Sequence, residues 1–409
     1  MTVAFKTFGC RLNRAEALDL EASFRAAGHT ILQLNERAPD VIVVRCCSVT
    51  ARAQRDCEKE IAHLRERFPQ SRVIITGCHP NSEQVKVNSE QVETESNSTL
   101  NTQHSTLPLR EDLESYPSRA SLKVQDGCSG HCAFCIVPHF RGKPVSVPFD
   151  QVLSRARAFL DLGFHELVIT GCNLALYRSQ GHGLPDLLAA LADLTAAPSS
   201  HRIRLGSLEP GICDDALLDA FTSHPNICRF IHLSVQSGSD PVLNRMNRPY
   251  TIDTVRRFCT EARRRLGPRL TLGADIITGF PGETDADFQL TKTFLFPPEG
   301  AASFSNLHVF PYSERPGTPA ATMDGALPRA IRLTRARNLE KDAKAARLTF
   351  VQSFLGQEVE VCIERGGDHG WTAEYLPCKI EGAPAPRRSL LTVRVIAVSD
   401  TGELLGRRI

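Results

Sequence analysis

The sequence predicts an α/β protein in three parts. These are a parallel α/β unit at the amino end, a partial TIM-like (β/α)6 barrel in the centre, and a small antiparallel β-barrel at the carboxyl end. Two observations carry this. Apolar runs alternate with helical spacings over residues 1–80 and again from about 119 to 325, the pattern of parallel strands joined by crossover helices. The last segment, about 352–409, alternates short strands with turns, as in barrels of oligonucleotide-binding type. The expected domains are 1–80, a polar linker 81–118, a core 119–350 and a terminal barrel 351–409.

Residues 1–80 read as β-α-β-α-β. Val3 to Phe8 is a strand ending at Gly9-Cys10. Ala15 to Ala27 has helical spacing and stops at Gly28, a helix C-terminal signal. Asp40 to Val44 is a continuous apolar run, as a strand covered on both faces should be, and it leads into Arg45-Cys46-Cys47. A polar helix follows to about Phe68, and Arg72 to Thr76 is a third strand ending at Gly77-Cys78. The carboxyl ends of parallel strands share one edge, where ligands bind. Cys10, Cys47 and Cys78 are therefore expected to converge, as three thiolates for a 4Fe–4S cluster with one iron left open. Cysteines packed as small hydrophobes are the bland alternative, but three successive strands ending this way argue against it.

Residues 81–118 break the pattern. Asn81-Ser82-Glu83-Gln84-Val85 recurs as Asn88-Ser89-Glu90-Gln91-Val92 in a Ser/Thr/Asn/Gln-rich stretch. Such a segment buries too little apolar surface to fold alone and reads as a flexible linker.

In the core, strands are expected at Ser121–Gln125, Glu166–Thr170, Arg202–Ser207, Phe230–Gln236, Leu270–Ile276 and Ser303–Phe310. Helices are expected at Asp150–Leu162, Leu184–Leu194, Asp214–Thr222, Thr251–Leu266 and Asp285–Phe296. Six strands make an open barrel rather than the closed eightfold one, with its chemistry at the strands' carboxyl ends. Directly after the first strand stand Cys128, Cys132 and Cys135, spaced C-x3-C-x2-C. Zinc sites commonly use four ligands in paired knuckles. Three cysteines in eight residues instead fit three irons of a 4Fe–4S cluster, whose fourth iron is free to bind a small molecule.

Pro328 to about Leu348 is a helix on which Arg329, Arg337, Lys341, Lys344 and Arg347 share a sector of ~120° at 3.6 residues per turn. It reads as a phosphate-facing stripe or a solvated face. The terminal barrel has seven Lys/Arg against eight Asp/Glu, so its net charge does not mark it as an RNA binder.

Composition narrows the class. Hydrophobic residues make up 42% of 409, enough for a real core, and no run of ~18 apolar residues suggests a membrane span. Fourteen cysteines without a signal-peptide pattern argue for metal or redox chemistry in a reducing cytoplasm rather than disulfides. The net charge of only +2 leaves any case for nucleic acid to local charge.

These residues together resemble the radical S-adenosylmethionine (SAM) methylthiotransferases. Thr7-Phe8-Gly9-Cys10-Arg11-Leu12-Asn13, Cys47-Ser48-Val49-Thr50 and Thr76-Gly77-Cys78 resemble the family's N-terminal cluster domain. Gln125 to Cys135, Arg141-Gly142-Lys143, His232 to Asp240, Gly279 to Thr284 and His308 to Ser313 resemble its radical SAM core. Gly370 to Tyr375 resembles its small RNA-binding TRAM barrel. Gly9 to Glu16 and Ser48 to Ala53 are similar to the subfamily acting on threonylcarbamoyladenosine (t6A) in tRNA. Other subfamilies act on isopentenyladenosine or on a ribosomal-protein aspartate. The family's usual Asn-Thr before the second cysteine is here Arg45-Cys46, and alignment favours Cys47 over Cys46 as ligand.

The resemblance implies two 4Fe–4S clusters and SAM. The cluster on Cys128, Cys132 and Cys135 would reduce SAM to a radical that activates C2 of the adenine, with Phe134 beside the SAM adenine. The cluster on Cys10, Cys47 and Cys78 would hold the transferred sulfur, which a second SAM methylates. Arg141, Gln236, Ser237 and Asp275 are expected to contact SAM or substrate. The implied partners are tRNA, rather than DNA or a membrane, and an electron donor and a sulfur donor that the sequence does not identify. A non-catalytic RNA-binding iron–sulfur protein is the reading from another class. Cys57, Cys172, Cys213, Cys228, Cys259, Cys362 and Cys378 match no ligand position and read as packing residues.

Overall fold

The computed structural model describes all residues except 36, 88–91, 97–115, 196–200 and 298–302. The amino-terminal unit runs β1 (Thr2–Thr7), α1 (Arg11–Ala26), β2 (Thr30–Leu32), β3 (Val41–Cys46), α2 (Ala51–Arg67) and β4 (Arg72–Gly77). Its sheet is fully parallel in the order β2-β1-β3-β4. The sequence reading lacked β2, which at three residues is too short to show a period. Alternation along β3 explains its apolar run. Ile42, Val44 and Cys46 pack beneath α2 with Cys57, Ile61 and Leu64. Val41 and Val43 pack beneath α1 with Leu20 and Phe24. Register pairs Thr7 with Arg45 and Cys46 with Gly77, so the chain leaves β1, β3 and β4 at one edge.

Part of the expected linker is paired backbone. Strands β5 (Glu83–Val87) and β6 (Val92–Ser96) form an antiparallel hairpin with Val87 opposite Val92. The reading of 81–118 as structureless is corrected over that stretch, and its remainder, 97–115, lies outside the described residues. Val85 and Val87 alternate at strand spacing, and backbone pairing needs no apolar core of its own. Tyr116 is buried and donates its hydroxyl to the Leu18 carbonyl at 2.9 Å.

The core runs β7 (Ala120–Asp126), α3 (Val137–Arg141), β8 (Val145–Ser146), α4 (Phe149–Asp161), β9 (Glu166–Gly171), α5 (Leu184–Leu194), β10 (Arg202–Leu205), α6 (Asp215–Ser223), β11 (Phe230–Gln236), α7 (Asp240–Arg245), α8 (Ile252–Leu266), β12 (Thr271–Thr278), α9 (Asp285–Leu295), β13 (Asn306–Pro311) and α10 (Arg329–Gln352). Six of these strands are parallel, as β7-β9-β10 and β11-β12-β13. The two halves meet through the parallel bridges Ile203 to Ile227 and Leu208 to Leu233, so the sheet curves into an open barrel. Short β8 lies antiparallel along β7.

The last unit is a closed barrel of β14 (Glu358–Ile363), β15 (His369–Thr372), β16 (Pro377–Glu381), β17 (Leu390–Val398) and β18 (Leu404–Arg408), with β16 and β18 parallel and the other pairs antiparallel. Strand β15 leads directly to β16. A turn separates them, closed by the Thr372 N–H donating to the Leu376 carbonyl at 2.9 Å, with Tyr375 at φ +62°. That turn reaches towards the core. Arg202 donates to the Trp371 carbonyl at 2.6 Å, and Arg204 donates to the Thr372 and Ala373 carbonyls at 2.8 and 3.1 Å. Among the described residues no helix is long and apolar enough to cross a membrane.

Candidate active site

The carboxyl ends of the core strands open into a cavity of about 850 Å³, towards the upper end of the ~300–1,000 Å³ usual for ligand pockets. All three units line it. Cys10, Arg11 and Leu12 come from the amino-terminal unit and Tyr375 from the terminal barrel, while the core supplies Cys128, Cys132, Cys135, Phe134, Gln236, Asp275 and others. A second chamber of about 250 Å³ shares Phe134, Cys135, Val137, Gln236 and Asp275 and is closed on one side by Val49 and Thr50.

The loop carrying Cys128, Cys132 and Cys135 is held from both sides. Gly127 turns at φ +68°, where a Cβ would lie 2.1 Å from the Lys143 carbonyl oxygen, so only glycine fits. The segment after α7 clamps the other side. The Ala133 N–H donates to the Met246 carbonyl at 2.9 Å, and Asn247 Nδ2 donates to the His131 carbonyl at 2.8 Å. N–H groups point at the sulfurs: Gly130 at Cys128 (3.2 Å) and Arg248 Nη1 at Cys132 (2.9 Å). Donors aimed at sulfur stabilise thiolate character and tune a cluster bound there. Burial pushes the Cys135 thiol up to about 12, the cost of a desolvated thiolate that iron would remove by replacing the proton.

The other three cysteines come together from distant segments. Gly9, at φ +98°, brings Cys10 against Cys47. A Cβ on Gly9 would sit 2.4 Å from Cys47 Cβ and 2.9 Å from its Sγ. Burial, together with neighbouring Cys78 and Cys10, raises the Cys47 thiol to about 11. Cys10 is exposed to the cavity, whereas Cys47 and Cys78 are buried behind it. Cys46 points the other way, into the packing beneath α2, where its thiol is hydrogen-bonded to that of Cys57 and both remain free cysteines. The donor chemistry of both triads suits iron–sulfur ligation, in which thiolates surround a cubane more widely than they would a single ion.

Two expected contacts are corrected. Arg141 does not line the cavity. It is buried at the junction of the amino-terminal unit and the core, where Nε donates to Cys78 Sγ at 3.1 Å. Its other nitrogens donate to Glu16, Asp126 (2.8 Å) and Asn13 (2.7 Å). Arg45 and Lys123 also pair with Glu16, which accounts for the arginine before Cys46. Burial would push the Glu16 carboxyl up, but Arg141, Arg45 and Lys123 outweigh it and hold the group well below the carboxylate range. Ser237 likewise turns inward, where its hydroxyl meets Thr291 and accepts the Ser239 N–H.

Phe134, Gln236 and Asp275 are in the wall. Phe134 packs edge-on to Phe280. Gln236 holds φ +73° at the end of β11, a left-handed conformation costly for a non-glycine residue and frequent at functional sites. Asp275 is bracketed by His232 Nε2 and His308 Nδ1, 2.9 and 3.0 Å from the same oxygen, and accepts the Ser234 hydroxyl at 3.2 Å. Burial opposes its charge, but the two histidines keep its carboxyl below the usual range.

Several wall residues went unread in the sequence. Cys172, taken as a packing residue, lines the cavity at the end of β9, beside Asn173, whose N–H donates to Gln125 Oε1 at 2.8 Å. Position after a strand's carboxyl end was the available signal for Cys172, whereas His308 lies within β13. Arg248 and Tyr375 had no such signal, since the segment after α7 and a terminal turn bring them in.

Comparison with known proteins agrees with this geometry. The family model described as the radical SAM superfamily matches residues 122–295, and that described as uncharacterized protein family UPF0004 matches residues 2–97. The threonylcarbamoyladenosine tRNA methylthiotransferase MtaB of Thermotoga maritima is 31% identical over 98% of this chain and 96% of its own length. A tRNA-2-methylthio-N(6)-dimethylallyladenosine synthase of Cereibacter sphaeroides is 29% identical over 99% of this chain and 98% of its own. A solved structure of the radical SAM methyltransferase TsrM from Kitasatospora setae, with cobalamin and a [4Fe-4S] cluster bound, superposes with TM-score 0.55 at 15% identity over 78% of this chain and 77% of its own, a likeness of fold. The family implies a 4Fe–4S cluster, SAM and a tRNA substrate. The chain belongs to the radical SAM methylthiotransferase family and is a radical SAM tRNA methylthiotransferase.

Proposed function

We propose that this enzyme converts t6A beside the anticodon of tRNA to its 2-methylthio derivative in the cytoplasm, using two 4Fe–4S clusters. Cys128, Cys132 and Cys135 would hold one cluster, and Cys10, Cys47 and Cys78 the other. When bound, the clusters and SAM supply the electron, the radical and the sulfur that no side chain can provide. The chain's own residues position and enclose. Arg248 and Gly130 fix the thiols of the first triad, and Arg141 fixes Cys78 of the second. Phe134 and Gln236 form the wall where SAM would lie. Asp275, oriented by His232 and His308, presents a carboxylate to whatever occupies the cavity.

The observation that supports this reading best is that one cavity is walled by Cys10 and by all three cysteines of the core loop. Two sites opening on one space suit a reaction needing both radical generation and sulfur delivery. Sequence similarity to the t6A enzymes favours that nucleoside. Nucleoside mass spectrometry of tRNA from a deletion strain is the test. Loss of methylthio-t6A with accumulation of t6A is expected. Unchanged methylthio-t6A with loss of methylthio-isopentenyladenosine, or of a methylthio-aspartate in a ribosomal protein, would overturn it.

A further inference from the structure

Arg11 is the first residue of α1, next to Cys10, and both line the cavity. Its Nη2 donates to the Tyr375 hydroxyl at 3.1 Å. Tyr375 is itself fixed, stacked on Phe230 and on Trp371, each with ring centroids 4.7 Å apart. Two further guanidiniums lie near that ring: Arg204 at 5.0 Å and Arg119 at 5.9 Å. Both are engaged with acids, Arg204 with Glu166 at 2.6 Å and Arg119 with Glu364 at 3.0 Å. The other arginine of the cavity wall, Arg248, is paired with Glu209 at 3.1 Å. Among the described residues Arg11 meets no carboxylate. A half-buried cation in a positive neighbourhood, with one of its five N–H groups spent on a phenol, is poised for an anion. The planar fork of a guanidinium matches a carboxylate through two parallel hydrogen bonds.

We infer that Arg11, oriented by Tyr375, binds the carboxylate of the threonyl arm of the substrate nucleoside. This rests on the t6A reading above. The chemistry of the base fits the placement. C2, which receives the sulfur, and C6, which carries the arm through N6, flank the same ring nitrogen. A base presenting C2 near Cys10 therefore carries its arm along the wall next to that cysteine. An isopentenyl arm has no charge and gains nothing from a guanidinium. The subsite is built by the first and last units together, which gives the terminal barrel a share in choosing the nucleoside.

The test measures binding by the full cluster-loaded chain, using fluorescence anisotropy with two anticodon stem-loops of one sequence. One carries t6A and the other unmodified adenosine. Wild type is expected to prefer the t6A loop. Arg11→Gln should cut that preference ~10–100-fold, the worth of charge-assisted hydrogen bonds, while affinity for the unmodified loop stays within about twofold. Tyr375→Phe, which removes only the orienting hydroxyl, should reduce the preference less, and it serves as the readout should Arg11→Gln lose iron. A wild type without preference would overturn the t6A reading itself. A wild-type preference that both variants keep would overturn the inference alone. Equal weakening on both loops would assign Arg11 to tRNA phosphate and overturn it too.

Discussion

The two cysteine triads reach the same cavity by opposite routes. Cys128, Cys132 and Cys135 lie within eight residues of one loop, held by a glycine turn and by the segment after α7. Cys10, Cys47 and Cys78 are spread over 69 positions and meet only because three parallel strands end at one edge. The first site is a property of local sequence, and the second is a property of the sheet. The second also leans on the core through Arg141, which bonds Cys78 while pairing with Glu16 and Asp126. The second site should therefore be the more sensitive to changes away from its ligands.

The largest separation of the two sites should come from adjacent cysteines. Cys47→Ala should abolish methylthio transfer and leave reductive SAM cleavage intact. Cys46→Ala should keep both, because Cys46 belongs to the packing beneath α2. Activity and cleavage assays on the two variants decide this, and exchanged phenotypes would mean that Cys46 is the ligand.

Arg141→Leu sharpens the contrast through stability. It leaves buried carboxylates short of a partner, a loss of ~3–5 kcal/mol when a buried pair is broken on one side. Denaturant unfolding should show it, together with preferential loss of iron from the second site. Wild-type stability would refute the bridging role.

A smaller effect concerns the third wall of the cavity. Glu166 is fully buried, which pushes its carboxyl up, but Arg204 and Arg202 prevail and hold it below its ordinary 4.5. A depressed carboxyl gives stability that is present above its unfolded value and lost as pH falls. The seating of the terminal barrel should thus hold from neutral pH down to about 4.5 and weaken below it. Glu166→Gln should flatten that acid-side loss in melting curves between pH 7 and 3, and an identical acid profile would contradict it.

How much of this was legible in the sequence follows the same division. The local triad was visible as a spacing, and the dispersed triad as strands that each stop at a cysteine. Element type was readable wherever apolar periodicity ran for a whole element. Contacts made across hundreds of residues were not. Arg141 was expected at SAM and is a strut between units. Tyr375 lies 364 positions from Arg11, and no local pattern announces their contact. The hairpin at Glu83–Ser96 was missed because its polar composition looks like linker and its order comes from backbone pairing.

The smallest expected effect concerns tRNA. On α10, Arg332 and Arg335 are buried in ion pairs with Glu314 and Glu283. Arg329, Arg337, Lys341 and Lys344 are exposed and make no ion pair among the described residues, while Arg347 is half-buried. Changing Arg337, Lys341 and Lys344 together to Gln should flatten the salt dependence of tRNA binding by up to ~3 units of slope if all three neutralise phosphates. Parallel salt plots with equal affinity would make this a solvated face. SAM cleavage without tRNA should not change, which keeps the effect apart from both cysteine sites.

The most direct test of two sites with two tasks is to remove each triad in turn and measure iron and reductive SAM cleavage after anaerobic reconstitution. Wild type should hold about eight irons, and each triple alanine variant about four. Loss of Cys128, Cys132 and Cys135 should abolish cleavage. Loss of Cys10, Cys47 and Cys78 should leave cleavage and end methylthio transfer. A wild type that holds only about four irons, or two triple variants with the same defect, would contradict the account.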